Sequence, residues 1–192
     1  ANHTIEAVFA KVEAKPTNPF VDVAEGTYYY DPVLWAVANG ITSGVDATHF
    51  EPEGTCTRAH AVTFLWRASG QPEPKTTNMP FRDVKPGSYY EKAVLWAVEN
   101  KITNGTGTTT FSPDENCTRA QIVTFLWRSK GEPYASDSNN PFTDIASDYY
   151  MDAVFWAVKE GITNGTTPTT FSPNERCTRA QIVTFIYRAM VS

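Results

Sequence analysis

Apolar positions fall into two kinds of block that alternate along the chain. The first kind is short and apolar nearly all round, at 32–39, 91–100 and 151–160, with Val33-Leu34-Trp35-Ala36-Val37 at the centre of the first instance. Such a pattern predicts a helix buried on most sides rather than a surface helix with one stripe. Pro32 suits the first helical position, and Gly40 and Gly161 suit the left-handed residue past the end. Lys101 stands where those glycines stand, which predicts a mildly strained residue.

The second kind of block starts with capping chemistry. Thr57, Thr118 and Thr178 sit as N-caps, and Gln121 and Gln181 three residues on complete a capping box. Cys117 and Cys177, just before the cap, are placed to face Ile122 and Ile182 as a hydrophobic staple. These helices run through Phe-Leu-Trp-Arg and end near Gly70 or Gly131. His60 replaces the capping Gln in the first copy, so that helix start is expected to be the weakest. Between the two kinds of block lies a loop, Ile-Thr-x-Gly…Thr-x-Phe-x-Pro, whose Phe50, Phe111 and Phe171 are expected to plug it onto the core.

The alternation is a threefold repeat. Phe20, Phe81 and Phe142 are 61 residues apart, and Trp35, Trp96 and Trp156, like Cys56, Cys117 and Cys177, follow at 61 and 60. Over 93–128 and 153–188, 26 of 36 positions are identical without a gap. Each copy opens with Phe-x-Asp-Val/Ile, carrying Asp22, Asp83 and Asp144. With their polar, Pro-containing linkers the copies span 18–77, 78–138 and 139–192. Residues 1–17 stand outside the repeat and read as the end of a preceding domain or a linker; Ile5, Ala7, Phe9 and Val12 suggest a strand. With Ala rather than Met at position 1, the chain reads as a piece of something longer. Two helices of about 10–12 residues cannot cover each other's apolar surface, so one copy alone is marginal. Three copies sharing one core solve this, and a closed arrangement leaves no ends to cap.

Composition narrows the function. Of 192 residues 41% are hydrophobic and 19% charged, enough for a sizeable core, and sixteen basic against twenty-one acidic side chains give a net charge of −5. That balance argues against nucleic-acid binding, which needs a dense row of cations. No eighteen-residue apolar window exists, so no membrane insertion is expected. Three equivalent cysteines without a Cys-x-x-Cys pair indicate neither a disulfide framework nor a zinc site, and buried free thiols are the preferred account. No metal, cofactor or catalytic constellation emerges.

Four motifs in fixed order, Phe-x-Asp-Val, Trp-Ala-Val-x-x-Gly-Ile-Thr-x-Gly, Phe-x-Pro and Thr-Arg-Ala-(Glu/Gln), occur three times, and the chain resembles the S-layer homology (SLH) domain family over 18–192. The resemblance implies a mainly α fold, three tandem helix-loop-helix modules forming a pseudo-threefold spindle around a central helix bundle. It implies a noncatalytic anchor, extracellular at a bacterial cell wall and monomeric within a larger exported polypeptide. The partner it implies is secondary cell-wall polysaccharide, often pyruvylated, held in grooves between modules. The family's groove residues fall on Arg58, Arg119 and Arg179 and on Gly44, Gly105 and Gly165. The family's acidic residue after Thr-Arg-Ala is replaced by His60, Gln121 and Gln181.

Physical chemistry adds alternatives. An Arg in the first turn of a helix opposes the dipole by about 0.3–1 kcal/mol, so three such residues need an anion nearby. Asp22, Asp83 and Asp144 could pair with them, or free helix-start amides and the guanidinium could grip a carboxylate together; both readings stand. Gly44, Gly105 and Gly165 fit either a turn with positive φ or close approach of a sugar to the backbone. Asn104 and Asn164 could bond hydroxyls. Trp35, Trp96 and Trp156 are expected in the core, and Trp66 and Trp127 partly exposed. The tyrosine pairs 29-30, 89-90 and 149-150 are expected to split, one ring inward and one toward a groove. Two rival functions remain: a self-assembling surface-layer protein–protein module, and a glycan hydrolase using the periodic aspartates.

Overall fold

The computed structural model describes residues 17–136, 140–146 and 148–191. Residues 1–16, including the suggested strand, lie outside the described residues. The fold is mainly α: six helices, α1 (Tyr30–Ala38), α2 (Arg58–Ala68), α3 (Glu91–Glu99), α4 (Arg119–Ser129), α5 (Met151–Lys159) and α6 (Arg179–Val191), and among the described residues no β-strands beyond isolated bridges.

The helix boundaries follow local chemistry. The short first helix of each copy ends in a Schellman turn: Gly40 N–H donates to Val37 O at 3.0 Å, and Ile41 N–H to Ala36 O at 2.8 Å. Gly40 and Gly161 adopt φ 66° and 68°, and Lys101 is held at φ 58° in the same place, the strain expected of a side chain there. Pro32 is the third residue of α1, still within the first turn, where its missing N–H costs nothing. At the second helices, Thr118 Oγ1 accepts from Gln121 N–H at 3.2 Å while Gln121 Oε1 accepts from Thr118 N–H at 3.1 Å. Thr178 and Gln181 repeat this at 3.2 Å each way. The first copy also forms the box, because His60 Nδ1 accepts from Thr57 N–H in place of an amide oxygen, at the longer distance of 3.4 Å. The expected weak start is a looser cap, not a missing one.

The packing order links the copies. α3 packs on α2, α5 on α4, and α1 on α6, so the first helix of each copy lies on the second helix of the copy before it, and the last copy closes on the first. The second helices α2, α4 and α6 meet at the centre. In the first copy enclosure is greater for the second helix than for the all-apolar first one: eight of eleven α2 residues are buried, Arg58 included, whereas four of nine α1 residues are. At the axis the backbones of the three cysteines form a ring. Cys117 N–H donates to Cys56 O at 2.8 Å, Cys177 N–H to Cys117 O at 2.8 Å and Cys56 N–H to Cys177 O at 3.1 Å. The thiols are free and buried, and burial pushes those of Cys56 and Cys177 up to about 12.

The linkers are pinned by side chains. Trp66 Nε1 donates to Pro72 O at 2.9 Å and Trp127 Nε1 to Pro133 O at 3.0 Å. Trp66 is buried, against the partial exposure expected of it, whereas Trp127, with the equivalent bond, is partly buried as expected. Trp96 and Trp156 are core residues, and Trp35 is half-buried edge-on to Tyr187 across the α1–α6 seam.

Candidate functional site

Each seam carries a groove built from all three copies. The first is lined by Thr42–Val45, His60, Thr63, Phe64 and Arg67 of copy one, with Tyr89 of copy two and Arg179 of copy three, and encloses about 340 Å³. The second combines Asn104, Gly105, Gln121, Phe125 and Arg128 with Arg58 and Tyr149, and the third Asn164, Gly165, Gln181, Phe185 and Arg188 with Arg119 and Tyr28; each encloses about 380 Å³.

The floor is the recurrent arginine. Arg58 Nε donates to Phe111 O at 2.8 Å, Arg119 Nε to Phe171 O at 2.7 Å, and Arg179 Nε to Phe50 O at 2.8 Å. Each guanidinium also lies over two phenylalanine rings, in Arg58 those of Phe111 at 4.8 Å and Phe125 at 5.5 Å. Exposure is only 2%, 3% and 6%, so these are walled-in cations rather than exposed clamps, and burial lowers their pKa values from the usual arginine range. The Nη2 of all three is buried and has no hydrogen-bond partner. An orphaned buried donor costs its full desolvation, which makes it a standing demand for an acceptor.

Two expectations about these arginines are corrected. The aspartates do not pair with them. Asp83 instead accepts Phe111 N–H at 2.8 Å and Ser112 N–H at 2.7 Å, with Asp22 and Asp144 doing the same at Phe50-Glu51 and Phe171-Ser172. Their carboxylates brace the loop at Glu51, Ser112 and Ser172, which have φ near 57–59°. The loop in turn presents the carbonyl that Arg grips, so Asp acts on Arg through one phenylalanine peptide. Nor are the helix-start amides free: Arg58 N–H donates to Glu115 O at 2.8 Å and Ala59 N–H to Pro113 O at 3.0 Å, and the other two helices repeat this across their seams. The neighbouring copy has already taken the anion-binding amides.

Gly44, Gly105 and Gly165 stand at φ 86°, 82° and 82°. A Cβ on Gly44 would meet Phe20 Cε1 and His49 O at 2.5 Å. The turn and the close packing on the Phe-x-Asp ring require glycine, and the same backbone borders the groove.

The tyrosines split as expected, with one shift of register: the first pair is Tyr28-Tyr29, because Tyr30 aligns with Glu91. Tyr28, Tyr89 and Tyr149 are 53%, 53% and 51% exposed and face the grooves, each edge-on to the following ring at 5.0–5.3 Å. Burial pushes the Tyr89 hydroxyl up to about 12.

Sequence reasoning missed a second arginine in every groove. Arg67, Arg128 and Arg188 donate through Nη1 to Ile41 O, Ile102 O and Ile162 O at 3.0, 3.3 and 3.0 Å. Their spacing of 61 and 60 in the Phe-Leu-Trp-Arg pattern marks them. Each groove thus holds two guanidiniums and no Asp or Glu among its described lining residues, in a chain whose net charge is −5.

The structure is a closed ring of three repeats with a cationic, polar groove at each seam. The chain belongs to the S-layer homology domain family, which matches residues 19–62, 80–123 and 141–183. Membership makes it a cell-surface anchoring module, located extracellularly. It is similar to an endoglucanase of Bacillus sp. (strain KSM-635), 37% identical over 61% of this chain and 12% of that protein. It is also similar to a cellulosome-anchoring protein of Acetivibrio thermocellus, 26% identical over 90% of this chain and 39% of that one. A surface-layer 125 kDa protein of Lysinibacillus sphaericus is 30% identical over 85% of this chain and 14% of its own length. The chain thus spans well under half of each of these relatives. Among the described residues no helix is long and apolar enough to cross a membrane.

Proposed function

We propose that the three grooves bind acidic sugar units of a secondary cell-wall polysaccharide and so tether a larger exported protein without catalysis. The supporting observation is the orphaned Nη2 of Arg58, Arg119 and Arg179, each in a groove that holds a second arginine and has no Asp or Glu among its described lining residues. A pyruvate ketal supplies a compact carboxylate to accept from that pair, while Asn104, Asn164, Ser43 and the threonines offer partners for hydroxyls. Gly44, Gly105 and Gly165 keep the backbone close to the sugar, and Asp22, Asp83 and Asp144 hold the loop that aims the arginine. With a net negative chain, long-range attraction does not assist an acidic polymer, so affinity rests on local contacts multiplied over three grooves on one strand.

The test is co-sedimentation with bacterial walls stripped of protein. Binding is expected, and it is expected to disappear when the polysaccharide is chemically removed while the peptidoglycan stays. Sedimentation indifferent to that removal overturns the proposal. Oligomers that grow with concentration in the absence of any wall would instead assign the grooves to self-assembly.

A further inference from the structure

Among the described residues, two of the three seams are crossed by a linker. The one after α2 runs over α3: Pro72 O accepts from Trp66 Nε1, Glu99 accepts the N–H groups of Lys75 and Thr76 at 3.0 and 2.7 Å, and Lys92 reaches Glu73 at 2.7 Å. The one after α4 sets Pro133 O on Trp127 and buries Ala135 against the core. At these seams Trp96 and Trp156 are 8% and 5% exposed. The α6–α1 seam joins the last copy to the first, so neither linker between copies crosses it. Trp35, the counterpart of those two indoles, is there only partly buried, edge-on to Tyr187 at 5.4 Å, and Ala38 one turn on is exposed.

The chain enters the copies along one path. Asn18 Oδ1 accepts from Phe20 N–H at 3.0 Å, as Asn140 Oδ1 does from Phe142 N–H, and Val21, Arg82 and Thr143 each donate N–H to the facing loop at 2.9 Å. Counted back from Phe20, Phe81 and Phe142, positions 10–16 correspond to 71–77 and 132–138. The path that carries those linkers over their seams, continued back from Thr17, leads onto α6 and α1. The chemistry of the two partners also agrees. Glu99, which holds the amides of the first linker, is replaced on α1 by Ala38, and Tyr187 stands where Trp66 and Trp127 bind linker carbonyls. That floor offers apolar surface in place of a carboxylate. Positions 8–16, Val-Phe-Ala-Lys-Val-Glu-Ala-Lys-Pro, carry Val8, Phe9 and Val12, whereas 71–77 is polar and proline-containing. Covering apolar surface on both partners supplies the driving force that the carboxylate supplies at the first linker.

We propose that positions 8–16 of this chain form the third strap, laid across the α6–α1 seam with Val8, Phe9 and Val12 against Trp35, Ala38 and Tyr187, and that this strap fastens the one seam no linker between copies joins. The experiment is hydroxyl-radical footprinting of the full chain, read residue by residue by mass spectrometry, for the wild type and the V8S/F9S/V12S variant at two protein concentrations. In the wild type Trp35 should oxidise about as slowly as Trp96 and Trp156. In the variant Trp35 and Tyr187 should oxidise several-fold faster while Trp96 and Trp156 stay slow, and the melting temperature should fall by a few degrees. Should all three indoles speed up together, F9S alone carries the comparison, with Trp96 and Trp156 as its folding control. Equal rates at Trp35 in wild type and variant overturn the proposal. So does protection of Trp35 that grows with concentration and ignores the substitutions, which would assign the seam to a second copy. The readout is chemical exposure, so either outcome stands whatever the grooves bind.

Discussion

Around the axis the three copies are interchangeable. The arginine-to-carbonyl bonds measure 2.8, 2.7 and 2.8 Å, the three second helices dock their first amides on the neighbour in the same order, and the guanidiniums sit 4.8 Å above the neighbour's phenylalanine in every case. At the groove rims they are not. In copies two and three, Thr106 and Thr166 run hydroxyl-to-hydroxyl to Ser112 and Ser172 at 2.7 Å. In copy one the same turn is closed by Asp46, which accepts from Thr48 N–H at 2.7 Å and His49 N–H at 2.8 Å and whose carboxyl is held at about 2, chiefly by the Thr48 amide. His60 replaces glutamine over the same groove. Closure keeps these contacts alike because each copy must fit two neighbours at once, even where a buried side chain differs, as Ala61 does from Ile122 and Ile182; the rims face outward and are freer to differ.

The largest effect expected from breaking this equivalence is at the axis. Arg119→Ala strands the Phe171 carbonyl and empties the space between two rings, so urea unfolding should show a loss of about 3 kcal/mol. R58A and R179A should match it, and losses that diverge by more than about 1 kcal/mol would show that the ring is not equivalent. Next comes G105A, whose new methyl would meet Phe81 Cε1 at 2.5 Å; about 2 kcal/mol should be lost, with G44A and G165A close behind. T118A should cost about 1 kcal/mol in the same assay and T57A less, since its cap bonds are the longest. The smallest effect sharpens the contrast between rims. With its folded value depressed, His60 contributes stability that is fully present above the unfolded imidazole value of about 6.5 and is lost as pH falls below it. A thermal-shift profile should show this acid loss in the wild type and not in H60Q; identical profiles would deny His60 its role.

Much of this was legible in the sequence, for identifiable reasons. The repeat, the caps at Thr118 and Thr178, the left-handed ends at Gly40 and Gly161 and the core role of Phe50 all depend on side chains or backbone freedom that residue types declare. The partner of Arg58 did not declare itself, because a main-chain carbonyl belongs to every residue and leaves no trace in composition. The same holds for the amides lost to Pro113 and Glu115, and for the pairing of α3 with α2 rather than with α4. Arg128 could have been found by its period alone, but a charged residue near a helix end also serves the dipole, and that ordinary role hid it.

The bond from Arg179 to Phe50 spans 129 positions of chain. Contacts that distant must wait until both partners exist and meet, and they slow the approach to the native state more than local ones do. Losing the last copy would therefore damage every groove, removing the lining of its own, Arg179 from the first and Tyr149 from the second, so the protein gains or loses its grip on a surface as a whole rather than in thirds.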